Sequence, residues 1–280
     1  MDVHAYFRER IPLVDRLLEA AIPAASEGPQ QLHAAMRHIL FPGGKRLRPA
    51  LAMSAAEAVG APPQRALPMA AAVELVHTYS LIHDDLPCMD DDDERRGVPS
   101  VHVAFGEAIA VLAGDALLAA AFEALAAADC DASAEQRLAA MRELAHAAGS
   151  LQLVGGQADD LDFDPTIVDG AVVESIHGRK SAALICASIV GGAHLAGADR
   201  DTVERLQRCG YLAGIAFQIA DDVLDDGEDD PCSLVRVLGL EAAQHRAEEL
   251  LAMALRELDG LGDRAEPLRQ LVQFAVRRSI

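Results

Sequence analysis

The chain has 280 residues, of which 51% are hydrophobic and 4% aromatic, contains no Trp, and carries a formal net charge of −20. That is enough apolar material for a sizeable core in one large domain or two small ones, and no low-complexity linker divides it. The charge excludes a nucleic-acid binder, which needs Lys and Arg in excess to neutralise phosphates. The scattered Cys88, Cys130, Cys186, Cys209 and Cys232 lack the spacing of a zinc or redox motif, and a reducing cytoplasm is the simplest setting for them.

Ala- and Leu-rich stretches with apolar residues at helical spacing predict an almost wholly α-helical chain. The first predicted helix, near 2–20, carries Asp2, Arg8, Glu9, Arg10, Asp15 and Arg16. It lacks the apolar region of a signal peptide and reads as a surface helix. After a second helix near 29–40 comes Gly43-Gly44-Lys45-Arg46-Leu47-Arg48-Pro49. Three cations there follow a diglycine and precede a helix near 48–59 that has Pro49 in its first turn. Such a loop suits an anion, and it lacks the GxxxxGK[ST] spacing of a nucleotide-binding P-loop.

The next helix, near 64–86, places His77, Ser80 and Asp84 along one face. It ends in Asp84-Asp85-Leu86-Pro87-Cys88-Met89-Asp90, with Asp91, Asp92 and Asp93 beyond. Pro87 should break the helix and re-aim Asp90 toward Asp84. Asp91 to Asp93 read as a solvated acidic loop, and Arg95 and Arg96 either neutralise it or bind phosphate oxygens. Val103 to Ala128, in a helix near 100–128, is interrupted by Glu107, Asp115 and Glu123, which favours a buried core helix over a membrane span. Further helices are predicted near 134–154, 168–190, 200–225, 240–257 and 264–278. The one near 200–225 ends in a second acidic cluster, Asp221-Asp222-Val223-Leu224-Asp225, with Gln218, Asp221 and Asp225 close together on one face.

Carboxylates gathered in this way repel one another unless a cation joins them. Mg²⁺ is usually held by one or two carboxylates plus the phosphates of a substrate. Both clusters fall at helix C-termini, so antiparallel packing could bring them together across one cavity. The residues alone therefore point to a metal-diphosphate site.

The basic loop, Asp84 through Asp93 followed by Arg95-Arg96-Gly97, and Phe217 through Asp225 together resemble the trans-type polyprenyl diphosphate synthases. The stretch from Leu81 to Leu118 is similar to the short-chain bacterial farnesyl and geranylgeranyl members. The resemblance spans roughly residues 30 to 225. It implies an all-α, single-domain bundle of antiparallel helices around a central cavity over residues 1–280, a homodimer, and Mg²⁺, with Mn²⁺ as the alternative. The implied reaction is head-to-tail condensation of isopentenyl diphosphate with allylic diphosphates.

By the same resemblance, Asp84, Asp90 and Asp221 would hold metal, with Asp85, Asp222 and Asp225 as further or supporting ligands. Arg95, Lys180 and Gln218 would contact the allylic diphosphate, with Ser181 where the family usually has Thr. Lys45, Arg48, His77 and Arg96 would hold the diphosphate of isopentenyl diphosphate. Tyr79 and Ser80 would form the floor of the product cavity, and a large residue at 79 favours C15 farnesyl over C20 geranylgeranyl diphosphate. One departure stands out: the family's Lys-containing lid after the second cluster is missing, and Arg236 is the only basic residue nearby. A weakly active or regulatory subunit is therefore an alternative. A terpene cyclase, the nearest enzymatic rival, has no use for a second diphosphate pocket.

Overall fold

The computed structural model describes every residue except 128–129, 167, 225–230 and 278–280. Helix α1 (Val3–Ala21) starts at Asp2, whose carboxylate accepts the His4 N–H, and α2 is Gln30–Leu40. Helix α3 (Leu47–Ala58) and a 3-10 turn at Pro63–Ala66 lead into α4 (Leu67–Asp84), which is buried on most of its surface. A two-residue hairpin of β1 (Glu94–Arg95) and β2 (Val98–Pro99) follows. Arg96 and Gly97 at its tip both have positive φ, 57° and 77°, as a type I′ turn requires.

The helix predicted over 100–128 is two helices, α5 (Val101–Phe105) and α6 (Glu107–Ala127), divided at Gly106 with φ 87°. Helix α6 packs on α4 through one face only: Ala113, Leu117 and Ala121 are buried, whereas Val111 and Leu112 are exposed. It is the one helix among the described residues long and apolar enough to cross a membrane by length and composition.

Helix α7 (Ala134–Ala148) begins with a capping box between Ser133 and Gln136 and stops short of the predicted residue 154. The chain then forms an unanticipated helix, α8 (Leu153–Leu161). The helix predicted over 168–190 is α9 (Gly170–His177), a π turn at Gly178–Ala182, and α10 (Ala183–Ala196). Gly191-Gly192 lies inside α10. A Cβ on Gly192 would sit 2.2 Å from the Ala52 carbonyl oxygen, so glycine here lets two helices approach. The rest comprises α11 (Arg200–Leu224), a short unanticipated α12 (Leu234–Leu238), α13 (Leu240–Glu257), a 3-10 segment at Asp259–Ala265 and α14 (Glu266–Val276).

Two apolar clusters form the core. One gathers α4 and α6 with α1 and α2, and the other gathers α11 and α13 with α3, α10 and α14. A cavity of about 680 Å³ is lined by the start of α3, α4, the hairpin, α8, the π turn and the end of α11.

Candidate active site

The first acidic cluster takes its geometry from the end of α4. The chain reverses after Leu86-Pro87, with the Met89 and Asp91 N–H groups bonded to the Leu86 carbonyl, and the Asp90 N–H returns to the Asp84 carbonyl at 2.9 Å. Pro87 thus breaks the helix as its chemistry predicts, and Asp90 comes back beside Asp84. The Asp84 carboxyl lines the cavity and is pushed up to about 7, chiefly by burial, with Asp90 and Asp85 adding to the shift and Lys180 and Arg95 opposing it. Burial also raises Asp90. A cation between these groups would relieve the penalty.

Asp85 faces elsewhere. It is fully buried, and its Oδ1 accepts Arg95 Nε at 2.8 Å and Nη2 at 2.5 Å, while the same Nη2 reaches Asp92 at 2.6 Å. Arg95 therefore fastens the hairpin to the end of α4 and gives Asp92, read in sequence as solvated loop, a structural partner. Asp85 Oδ2 is buried without a hydrogen-bond partner.

The basic loop divides its three cations. Arg46 has a left-handed backbone, φ 49°, and turns inward to Glu74 at 2.7 Å, the Leu40 carbonyl at 2.6 Å and Asp15 at 3.2 Å. This pairing closes the loop and neutralises Arg46 where it lines the cavity beside Lys45 and Arg48. Glu74 also lies 3.8 Å from Arg96, whose Nη1 donates to the Ile39 carbonyl at 3.0 Å. A Cβ on Gly44 would come within 3.0 Å of that guanidinium, so the diglycine makes room for Arg96. The buried Glu74, unflagged in sequence, is the counter-ion that holds two arginines in place.

His77 sits among these cations. Burial first, then Arg48, Arg96, Arg46 and Arg95, hold it well below the usual imidazole range. It is neutral at pH 7, a hydrogen-bonding group and not a further charge. His77 and Asp84 are seven residues apart, about 10 Å along the helix axis, so the cationic and acidic ends are distinct places along α4.

The facing wall comes from the π turn, α8 and α11. A π turn shifts the hydrogen-bond register and changes where side chains point, a feature frequent at functional sites. Here it carries Lys180 and Ser181, and both line the cavity. Burial works against the Lys180 charge, but Asp160 at 2.5 Å, with Asp84 and Asp90, leaves its pKa raised, so the ammonium persists. Ser181 Oγ donates to Gln218 Oε1 at 2.6 Å.

Gln218 and Asp221 project into the cavity from α11. Asp222 does not line it: it is buried and accepts Gln218 Nε2 at 3.2 Å and the Leu234 N–H at 3.1 Å. Asp225 lies outside the described residues.

Sequence reasoning missed Gln157 and Asp160 on α8. Both amide atoms of Gln157 are buried on the cavity wall without a hydrogen-bond partner, which marks them for a ligand. The adjacent Asp159-Asp160 pair was the available signal. Gly156 explains the closeness of α8, because a Cβ there would lie 2.3 Å from the Lys180 backbone nitrogen.

Tyr79 and Ser80 both line the cavity, and the Tyr79 ring meets His83 edge-on at 5.7 Å. Arg236 does not reach the cavity. Its guanidinium donates to the carbonyls of Pro231, at 2.8 Å, and Pro165. Among the described residues no three His, Cys, Asp or Glu side chains converge as a ready metal cage. A cation at the paired carboxylates would complete its shell with ligand oxygens, as Mg²⁺ does on phosphates.

Comparison with known proteins agrees with this geometry. The polyprenyl synthetase family description matches residues 29–255. The chain is 41% identical to the large subunit 1 of a heterodimeric geranylgeranyl pyrophosphate synthase of Arabidopsis thaliana, over 99% of this chain and 80% of that protein. It is 40% identical to a farnesyl diphosphate synthase of Bacillus subtilis, over 89% of this chain and 90% of that one. Among solved structures, an FPP/GFPP synthase of Zymomonas mobilis superposes with a TM-score of 0.91 at 36% identity, covering 98% of this chain and 99% of that chain.

Proposed function

The chain belongs to the polyprenyl synthetase family as a short-chain trans-prenyltransferase, and from that premise we propose that its product is farnesyl diphosphate, made from isopentenyl diphosphate and dimethylallyl then geranyl diphosphate. The observation that carries this reading is the composition of one cavity. It joins carboxylates of both clusters, the cations Lys45, Arg48 and Arg96 beside a neutral His77, and an apolar lining that includes Leu81, Leu184 and Phe217. An allylic diphosphate at the acidic end and isopentenyl diphosphate at the cationic end use all three.

The family works with a divalent metal, here Mg²⁺ by preference and Mn²⁺ as the alternative. Asp84, Asp90 and Asp221 would hold it together with diphosphate oxygens, with Asp85 and Asp225 as supporting groups. When bound it supplies Lewis-acid activation of the departing diphosphate. Lys180, Gln218 and Arg95 stabilise the charge that grows on that group as the C–O bond breaks, and Ser181 orients the Gln218 amide. Lys45, Arg48, Arg96 and His77 hold the second diphosphate so that its double bond faces the allylic cation. The departing diphosphate takes the final proton, and His77, whose basicity is suppressed, is not needed as a base.

Tyr79 closes the product end at C15, with geranylgeranyl diphosphate the product if the wall beyond yields. The exposure of the large apolar side chains Val103, Val111 and Leu112 supports a homodimer. The position of Arg236, tied to backbone away from the site, leaves room for the weakly active or regulatory alternative.

Paired substitutions test the two-ended site. Arg48→Ala should raise the KM for isopentenyl diphosphate about tenfold or more with little change in the allylic KM, and Asp221→Asn should do the reverse and raise the Mg²⁺ requirement. Equal effects on both substrates would count against two separate diphosphate positions.

A further inference from the structure

Resting on that reading of the cavity, we infer that Asp222 is a positioning residue: it joins the chain segment after the second cluster to Gln218, and so fixes how Gln218 meets the departing diphosphate. Asp222 follows Gln218 by one helical turn, yet it is buried at 6% exposure while Gln218 and Asp221 line the cavity. Its Oδ1 accepts Gln218 Nε2 at 3.2 Å, and its Oδ2 accepts the backbone N–H of Leu234 at 3.1 Å. The other end of the same amide, Gln218 Oε1, accepts Ser181 Oγ at 2.6 Å. The carboxylate sets the orientation of this amide, since a flip would turn Oε1 onto Asp222 Oδ1, acceptor against acceptor, and the Ser181 hydroxyl then donates to the Oε1 left facing it.

A hydrogen-bonded chain therefore runs from the first residue of α12 through Asp222 and Gln218 to the π turn. His177 secures it from the other side. Its Nε2 donates to the Cys232 carbonyl at 2.9 Å and lies 3.7 Å from Asp222 Oδ2. The ring is buried directly before the π turn that carries Lys180 and Ser181. The segment around 232–234 is thus pinned at one buried point to α9 and α11. In a chain whose segment after the second cluster brings no lysine, residues 232–234 act on the site through Asp222 and Gln218, by orientation.

Three variants of the full chain test this. Asp222→Asn keeps the shape but turns one acceptor into a donor. Leu234→Pro removes the N–H at a first helical position, where proline is sterically accepted, and Leu234→Ala controls for the lost buried side chain. Two readouts are needed: kcat, KM for geranyl diphosphate and half-activating Mg²⁺ concentration, and urea unfolding in EDTA.

Asp222→Asn and Leu234→Pro should each lower kcat about tenfold or more below Leu234→Ala, with half-activating Mg²⁺ within about threefold of wild type. The Asp222→Asn/Leu234→Pro double variant should lose no more than the worse single variant, in kcat and in EDTA unfolding alike. A tenfold or greater rise in half-activating Mg²⁺ for Asp222→Asn would make Asp222 a metal ligand and overturn the inference. So would additive losses, or Leu234→Pro behaving as Leu234→Ala. If the wild type condenses nothing, the synthase reading fails, while coupling in EDTA still decides whether the link exists.

Discussion

Replacing Asp84 by Asn should stabilise the metal-free protein at pH 8 while disabling it as an enzyme. The folded protein holds this carboxyl at about 7 instead of 3.8, mainly through burial. Between those values the folded state binds a proton that the unfolded state has lost, so stability falls as pH rises through the window and the whole penalty is present above it. The difference corresponds to at most about 4 kcal/mol at 1.36 kcal/mol per tenfold, and water in the open cavity reduces it to roughly 1–3 kcal/mol. At about 2 °C per kcal/mol for a chain of this size, Asp84→Asn should melt roughly 2–6 °C higher than wild type in EDTA at pH 8. The gain should vanish near pH 4, where the wild-type carboxyl is protonated in the folded state. Mg²⁺ with inorganic diphosphate should narrow it by stabilising wild type selectively. Turnover should fall about a hundredfold or more. Equal melting temperatures at pH 8, or the same gain at both pH values, would refute the reasoning that burial strains Asp84 until a cation arrives.

Glu74→Gln leaves Arg46 and Arg96 without their buried counter-ion, and should cost about 3–5 kcal/mol in urea unfolding and raise the KM for isopentenyl diphosphate. Tyr79→Ala opens the cavity wall and should lengthen the product beyond C15 in mass spectra; an unchanged profile would show that Tyr79 is not the floor. Arg236→Ala should leave the allylic KM within about twofold, because its guanidinium is occupied by the Pro231 and Pro165 carbonyls. A large rise would restore Arg236 as the stand-in for the missing lid lysines.

What could be read in the sequence was what carries charge or breaks a helix. The acidic clusters stood out because repelling carboxylates need a cation, and Pro87 announced the turn that returns Asp90 to Asp84. The basic loop was legible as a concentration of cations but not in its detail, since the inward turn of Arg46 depends on a left-handed backbone and on Glu74, a single acid in an apolar helix. The π turn was invisible, because one shifted register leaves no trace in a continuous helical pattern. Helix α8 was lost because the pattern read as one helix running to residue 154, and Gly156, which lets α8 pack closely against the π turn, carries no apolar signal. With α8 went Gln157 and Asp160. Asp222 looked like a ligand because it sits in the cluster, and only the fold shows that it faces Leu234.

The most direct measurement is product identification by mass spectrometry after incubating the protein with isopentenyl diphosphate and dimethylallyl, geranyl or farnesyl diphosphate in turn, with Mg²⁺ or with EDTA. A farnesyl diphosphate synthase gives C15 diphosphate from the first two allylic substrates, little or nothing from the third, and none in EDTA. Folded protein that yields no elongated diphosphate with Mg²⁺, or yields a cyclised hydrocarbon, would contradict it.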